Sequence, residues 1–140
     1  MKTLRSAIFA MGLLLVVSGA HAQTIHVSGK VPFDFVLGKQ TLPAGQYSVR
    51  SLERSPEALN ISNTDEGTSS LTLIHHTEKL NPSEKTVLVF HRVGEQYFLA
   101  EIWVAGSSRG IQIPRSKLET QMAKNQTPGN DVIVAANITR

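Results

Sequence analysis

From Gln23 onward the chain alternates apolar and polar residues with a period of two, broken by short clusters of Gly, Pro, Asn and Ser. Successive side chains of a strand point to opposite faces, so this alternation predicts antiparallel strands with one buried face. Val31, Phe33, Phe35 and Leu37 share one face of the first clear strand, with Pro32 near its start, where a missing backbone donor is tolerated. Leu42-Pro43-Ala44-Gly45 predicts a turn, because Pro presets its own φ and Gly supplies a positive one. Strands follow over residues 46–52 and 58–62. The polar turn Asn63-Thr64-Asp65-Glu66-Gly67 then leads into a strand over 69–75, which makes a hairpin.

Residues 77–85 are polar and contain Asn81-Pro82, which predicts a solvent-facing loop. The clearest hairpin joins 86–92 to 96–104 across Val93-Gly94-Glu95, and the centre of the sheet belongs there. A short strand at 111–113 runs into Pro114, and residues 116–124 have helical composition. Ser116 and Glu119 stand at the spacing of a capping box. A last strand covers 132–138. The expected fold is all-β: a single antiparallel β-sandwich or partly closed barrel of seven to nine short strands, with one short helix near the C-terminus. Its core is expected to contain Phe33, Phe35, Tyr47, Val49, Leu73, Phe90, Phe98 and Ile102.

The first twenty-two residues follow a different rule. Lys2 and Arg5 precede an apolar run from Ala7 to Val17, and Ala20-His21-Ala22 supplies the small-x-small pattern of a signal-peptidase site. The run has 11 residues, too few for a membrane span of about 20. The expectation is a signal peptide over 1–22, cleavage before Gln23, and a single β domain over 23–140 placed in the periplasm or outside the cell. Two of the 14 Lys and Arg fall in the leader, leaving 12 against 11 Asp and Glu. The apparent basicity therefore vanishes on processing. No Lys/Arg cluster follows Gln23, which argues against nucleic acid as a partner. No later segment approaches spanning length, so the mature chain has no membrane span. The absence of cysteine removes disulfides, a lipid-bearing N-terminal Cys and thiol catalysis together, and stability must come from burial.

Val31-Pro32-Phe33-Asp34-Phe35, Gly38, Leu42-Pro43-Ala44-Gly45, Tyr47 and Val49 resemble a group of small exported bacterial β-domain proteins. Phe90-His91-Arg92, Gly94, Tyr97-Phe98-Leu99 and Trp103 look like the second half of the same pattern. The resemblance covers most of the span from Val31 to Lys124. It implies the β domain and export, and it carries over no activity, substrate, cofactor or catalytic residue. His75-His76 lies outside these motifs.

Three constellations bear on chemistry. His75, His76 and His91 sit at strand ends, and with Asp34 or Glu101 they offer imidazole and carboxylate ligands for a metal. Neighbours in a strand point to opposite faces, so only one of His75 and His76 can join His91. The competing reading is surface or hydrogen-bonded histidine, and for the isolated His26 that reading is stronger still. Second, no Gly-x-Ser-x-Gly elbow or P-loop occurs, and Ser107 and Ser108 have a turn role. A carboxylate pair such as Asp34 and Glu101 could perform acid–base work on glycosides at the right separation, and no catalytic residue is assigned. Third, Tyr97, Leu99, Glu101 and Trp103 share one parity, while Phe98, Ala100, Ile102 and Val104 share the other. If the second set points inward, Tyr97, Glu101 and Trp103 form an aromatic and polar surface able to stack on sugars or anchor a protein. The competing reading buries both faces.

The expected function is therefore an exported, non-enzymatic binding or interaction module of the bacterial envelope, with a protein or polysaccharide of that envelope as partner and no cofactor. The alternatives are a periplasmic metal-binding protein or metal-dependent enzyme using the histidines, and a structural envelope component that assembles through a sheet edge.

Overall fold

The computed structural model describes residues 24–139; the expected leader and its cleavage site lie outside the described residues. In chain order the elements are β1 (His26–Val31), β2 (Phe35–Leu37), β3 (Gln40–Leu42), β4 (Gly45–Leu52), β5 (Ser55–Asn63), β6 (Thr68–Leu73) and β7 (His75–Glu78). There follow β8 (Val87–Val93), β9 (Gln96–Trp103), β10 (Arg109–Gln112), α1 (Lys117–Asn125), β11 (Val132–Ala135) and β12 (Asn137–Ile138). Two sheets result. Sheet A has the order β12-β1-β4-β5-β6, and sheet B has the order β11-β8-β9-β10-β7, with β2 and β3 attached beside β9. Among the described residues every strand pairing is antiparallel except the short β2 to β9 contact at Val36 and Phe98. The all-β sandwich with one helix near the C-terminus is borne out; its strands are more numerous than the alternation suggests, because three expected strands divide between the sheets and Gln40–Leu42 adds a short one.

Three of the expected strands are each divided by a change of sheet. Val31 ends in sheet A and Phe35 begins in sheet B, so the expected strand from 31 to 37 is cut at Pro32-Phe33-Asp34. The stretch 69–75 divides at Ile74, which is buried, and residues 132–138 divide at Ala136. Strands that switch sheets close the corners of a sandwich. Here β6 and β7 close one edge, and β11 and β12 close the other.

Between the sheets lies one main core, including Val27, Phe35, Tyr47, Val49, Leu59, Ile61, Leu88, Phe90 and Ile102. Its aromatic centre is a chain of contacts: Tyr47 meets Phe35 edge-on at 5.0 Å, Phe35 meets Phe90 at 5.3 Å, and Phe90 meets Phe33 at 5.0 Å. The Tyr47 hydroxyl donates to the Pro43 carbonyl at 2.5 Å and accepts from Asn63 Nδ2 at 3.2 Å. A tyrosine bonded to backbone a few residues upstream fixes a sandwich corner. Asp34 Oδ1 accepts from the Ala44 N–H at 2.9 Å, and Asp65 Oδ2 accepts from the Gln46 N–H at 2.9 Å. Both carboxylates thus hold the turn before β4. Burial pushes the Tyr47 phenol above its ordinary value, its bond from Asn63 opposes that shift, and the nearby carboxylates of Glu66, Asp34 and Asp65 reinforce it.

Leu73 is a correction to the expected core. It is 70% exposed, as Leu71 is 68% exposed, and Ser70 and Thr72 point inward in their place. Register explains this inversion. The Asn63 to Gly67 turn pairs Asn63 with Thr68, Ile61 with Ser70 and Leu59 with Thr72. Directly opposed residues of antiparallel strands share a face, so the buried Ile61 and Leu59 carry Ser70 and Thr72 inward and send the leucines out. Phe33 is only half-buried, at the rim of the core.

Candidate binding face

The outward face of sheet B has two halves. In one, Val36, Val93 and Phe98 form a small apolar cluster closed by Met122 of α1. Ser116 Oγ accepts from the Glu119 N–H at 3.1 Å, which is half of the expected capping box. The other half is replaced: the Glu119 carboxylate, in a residue only 5% exposed, lies 2.8 Å from His91 Nδ1 and 3.8 Å from the Arg115 guanidinium. A buried carboxylate requires such partners, and through them β8 holds the helix. A polar cavity of about 190 Å³ adjoins the pair, lined also by Arg92 and Asp131.

Beyond the end of the helix, Val87, Val89, Glu101, Trp103 and Ile133 turn outward. Residues 79–85 run beside them as a wall, and the space between is an open groove of about 720 Å³. Its apolar surface comes from Val87, Val89, Ile133, Leu80 and Pro82; Ile133 is 66% exposed and Leu80 fully exposed.

Trp103 lies in this groove but is hemmed in. The residue is only 8% exposed. One side of the indole rests on Gly110, where a Cβ would come within 2.6 Å of Cε3 and Cζ3. The Lys79 ammonium stands 4.2 Å from the ring centroid, a cation–π distance. Nε1 donates to Glu101 Oε2 at 2.8 Å. Trp103 and Glu101 are therefore brought together, as the strand alternation expects, yet no free aromatic face is presented for sugar stacking.

Tyr97 is not part of this face. The β8–β9 register shifts between Val89 and Phe90: Val89 pairs with Glu101, Phe90 pairs with Leu99, and Ala100 is left over. A bulge of one residue reverses the parity of everything beyond it. Tyr97 and Leu99 consequently pack with the main core, Phe98 turns out beneath the helix, and Ile102 returns inward. Tyr97 stacks on Phe33 at 4.0 Å with 21° between the rings. Strict alternation puts Tyr97 and Trp103 on one surface, and the bulge separates them.

The three histidines also stay apart. His75 and His76 lie in β7, His91 lies in β8, and β10 and β9 intervene. Three strand spacings amount to about 14 Å before any offset along the strands. His91 is committed to Glu119, and no group of three His, Cys, Asp or Glu side chains placed to hold a metal occurs among the described residues. Asp34 and Glu101 are likewise engaged separately, at the Ala44 turn and at Trp103. The groove-lining residues to which the alternation assigns no role are Val87, Val89 and Ile133, which fall within expected strands, and Leu80, an isolated leucine in a polar loop. That leucine was the available signal.

Comparison of the chain with models of protein families, with curated proteins and with solved structures returns no match.

Proposed function

We propose that this chain is an exported, non-enzymatic interaction module of the bacterial envelope that holds an apolar segment of another protein in the groove beside Trp103. The observation that carries this reading is the exposed aliphatic surface of Ile133 and Leu80, continued by the half-buried Val87, in one open concavity. Contiguous apolar surface that a fold leaves in solvent marks a place of contact. A protein partner fits better than a polysaccharide. Stacking on sugars needs an open aromatic face, and the indole, only 8% exposed, is already packed against Gly110 and Lys79. Export rests on the leader pattern from Lys2 to Ala22.

Site-specific photo-crosslinking in the producing cell tests the reading. A benzoylphenylalanine at Ile133 or Leu80 is expected to give a defined protein adduct, and the same probe at Ser48, on the outer face of sheet A, is expected to give none. Adducts confined to glycan, no adduct from either groove position, or reproducible turnover that disappears on changing one polar residue would each overturn it.

A further inference from the structure

We infer that β6 is a self-pairing edge, through which two copies of this chain join their A sheets across a two-fold axis. Among the described residues the strand closes sheet A on one side with no further strand beside it. Free edges are ordinarily protected by charges, proline, bulges or brevity. The other edges among the described residues have such protection: β7 carries His75, His76 and Glu78, and the rest are brief, with four residues in β11, three in β3 and two in β12. By contrast β6 has six residues, Thr-Ser-Ser-Leu-Thr-Leu, without a charge, a proline or a register shift against β5. It is also the strand that turns its two leucines into water.

The ladder phase specifies the free backbone groups. The Ile74 N–H donates to the Glu57 carbonyl at 2.8 Å, next to the Ala58–Leu73 pair. In an antiparallel ladder the hydrogen-bonded pairs alternate. Thr72, Ser70 and Thr68 therefore bond to β5, and Ser69, Leu71 and Leu73 direct their N–H and C=O groups outward. Three residues at alternate positions form a self-complementary template. An antiparallel second copy centred on Leu71 pairs Leu71 with its own equivalent and Ser69 with Leu73. That register uses all three free residues of each copy, which amounts to six backbone hydrogen bonds.

Side chains and charge favour the same occupant. The centred register sets Leu71 directly against Leu71 of the second copy, with each Leu73 diagonal to it, so the exposed leucines cover one another. Two uncharged strands meet without like-charge opposition. The acidic turn Asp65-Glu66 precedes β6 and His75-His76 follows it, so antiparallel pairing brings the acidic end of one copy toward the histidine end of the other. An isologous contact of this kind closes on itself as a dimer. A single six-residue strand gives a small interface, so the association belongs to the weak, micromolar class.

Sedimentation velocity of the full chain, purified as the cell yields it, over about 10 µM to 1 mM tests this, together with amide exchange at both ends of the range. A monomer–dimer equilibrium is expected, with the Leu71 and Leu73 amides protected only at high concentration. Ser69→Pro leaves both leucines in place, removes one outward donor, and is expected to weaken the dimer at least ten-fold at unchanged melting temperature. Leu71→Lys, at a side chain already in solvent, is expected to do the same. The inference fails if the protein is monomeric throughout. It fails equally if a dimer survives in both folded variants, or if protection of Leu71 does not depend on concentration.

Discussion

Gly110→Ala probes whether Trp103 is held against β10 as described. A methyl at this position would lie 2.6 Å from Cε3 and Cζ3 and 2.8 Å from Cδ2 of the indole. Carbon atoms settle about 3.5–4.0 Å apart, so the ring must retreat by roughly 1 Å. Retreat is obstructed, because the ring is rigid, nearly buried and tied to Glu101 through Nε1 at 2.8 Å. Overpacking of this kind costs about 1–3 kcal/mol, and a loosened bond to the carboxylate adds to the upper part of that range. At roughly 3–6 °C per kcal/mol for a domain of this size, a cost of about 2 kcal/mol lowers Tm by roughly 6–12 °C. Trp103 is the only tryptophan, so its emission reports the same event and should move to the red as the indole gains water. A variant with unchanged emission and a Tm within about 1 °C of the parent would refute the placement of the ring on Gly110.

Tyr47→Phe removes the bond to Pro43 and the acceptor of Asn63 and should cost about 1–2 kcal/mol in urea denaturation. The phenol's pKa is raised above its ordinary 10.0, so the neutral form is favoured in the folded state. Its stability contribution is complete below about pH 10 and is lost as pH rises through the folded value; the parent's urea midpoint should fall more steeply than the variant's as pH rises above about 10, and parallel curves would count against this. His91→Ala strands the Glu119 carboxylate and should cost about 2–3 kcal/mol, whereas His91→Ala with Glu119→Leu should recover part of it; equal stabilities would show that the pair does not hold the helix. Leu73→Ala should change stability by less than about 0.5 kcal/mol and Ile74→Ala should cost about 2–4 kcal/mol, an order that a leucine-inward β6 would reverse. Ile133→Asp should likewise leave Tm almost unchanged while abolishing photo-crosslinks from Leu80, and a large fall in Tm would mean that the groove is already filled.

The parts of the fold that could be read from the chain are those in which local chemistry and tertiary placement agree. Gly94 has a positive φ of 61° and joins β8 to β9 across the expected turn. Ser116 caps the helix by a bond that its spacing to Glu119 announces. The missed features arise where a single residue shifts all that follows. One surplus residue at Ala100 separates Tyr97 from Trp103, and the register set by the Asn63 to Gly67 turn inverts β6. Neither event changes composition or periodicity, because a bulge and a register choice are made between strands, and an alternation within one strand carries no record of its partner. The candidate face was therefore half visible: Glu101 and Trp103 came from parity, while Lys79 and the groove wall required the loop's three-dimensional course.

The segments with the densest local signals turn out to build corners and the core. Asp34 and Pro43 hold the turn before β4, Tyr47 and Phe35 join Phe90 in the aromatic centre, and His91 secures the helix. Such residues are specified by geometry that the fold itself demands, and their chemistry is used up internally. The surfaces that remain unsatisfied lie elsewhere: the aliphatic groove bounded by residues 79–85, and the outward leucines and backbone groups of β6. Unsatisfied apolar area and unpaired edge donors are what a folded chain has to offer a partner. On this molecule the two lie on different sheets, so occupation of the groove and pairing of the edge need not compete. The arrangement predicts that Leu71→Lys, which dissolves the dimer, leaves the Ile133 and Leu80 photo-crosslinks intact; their loss together would mean that one surface, rather than two, is at work.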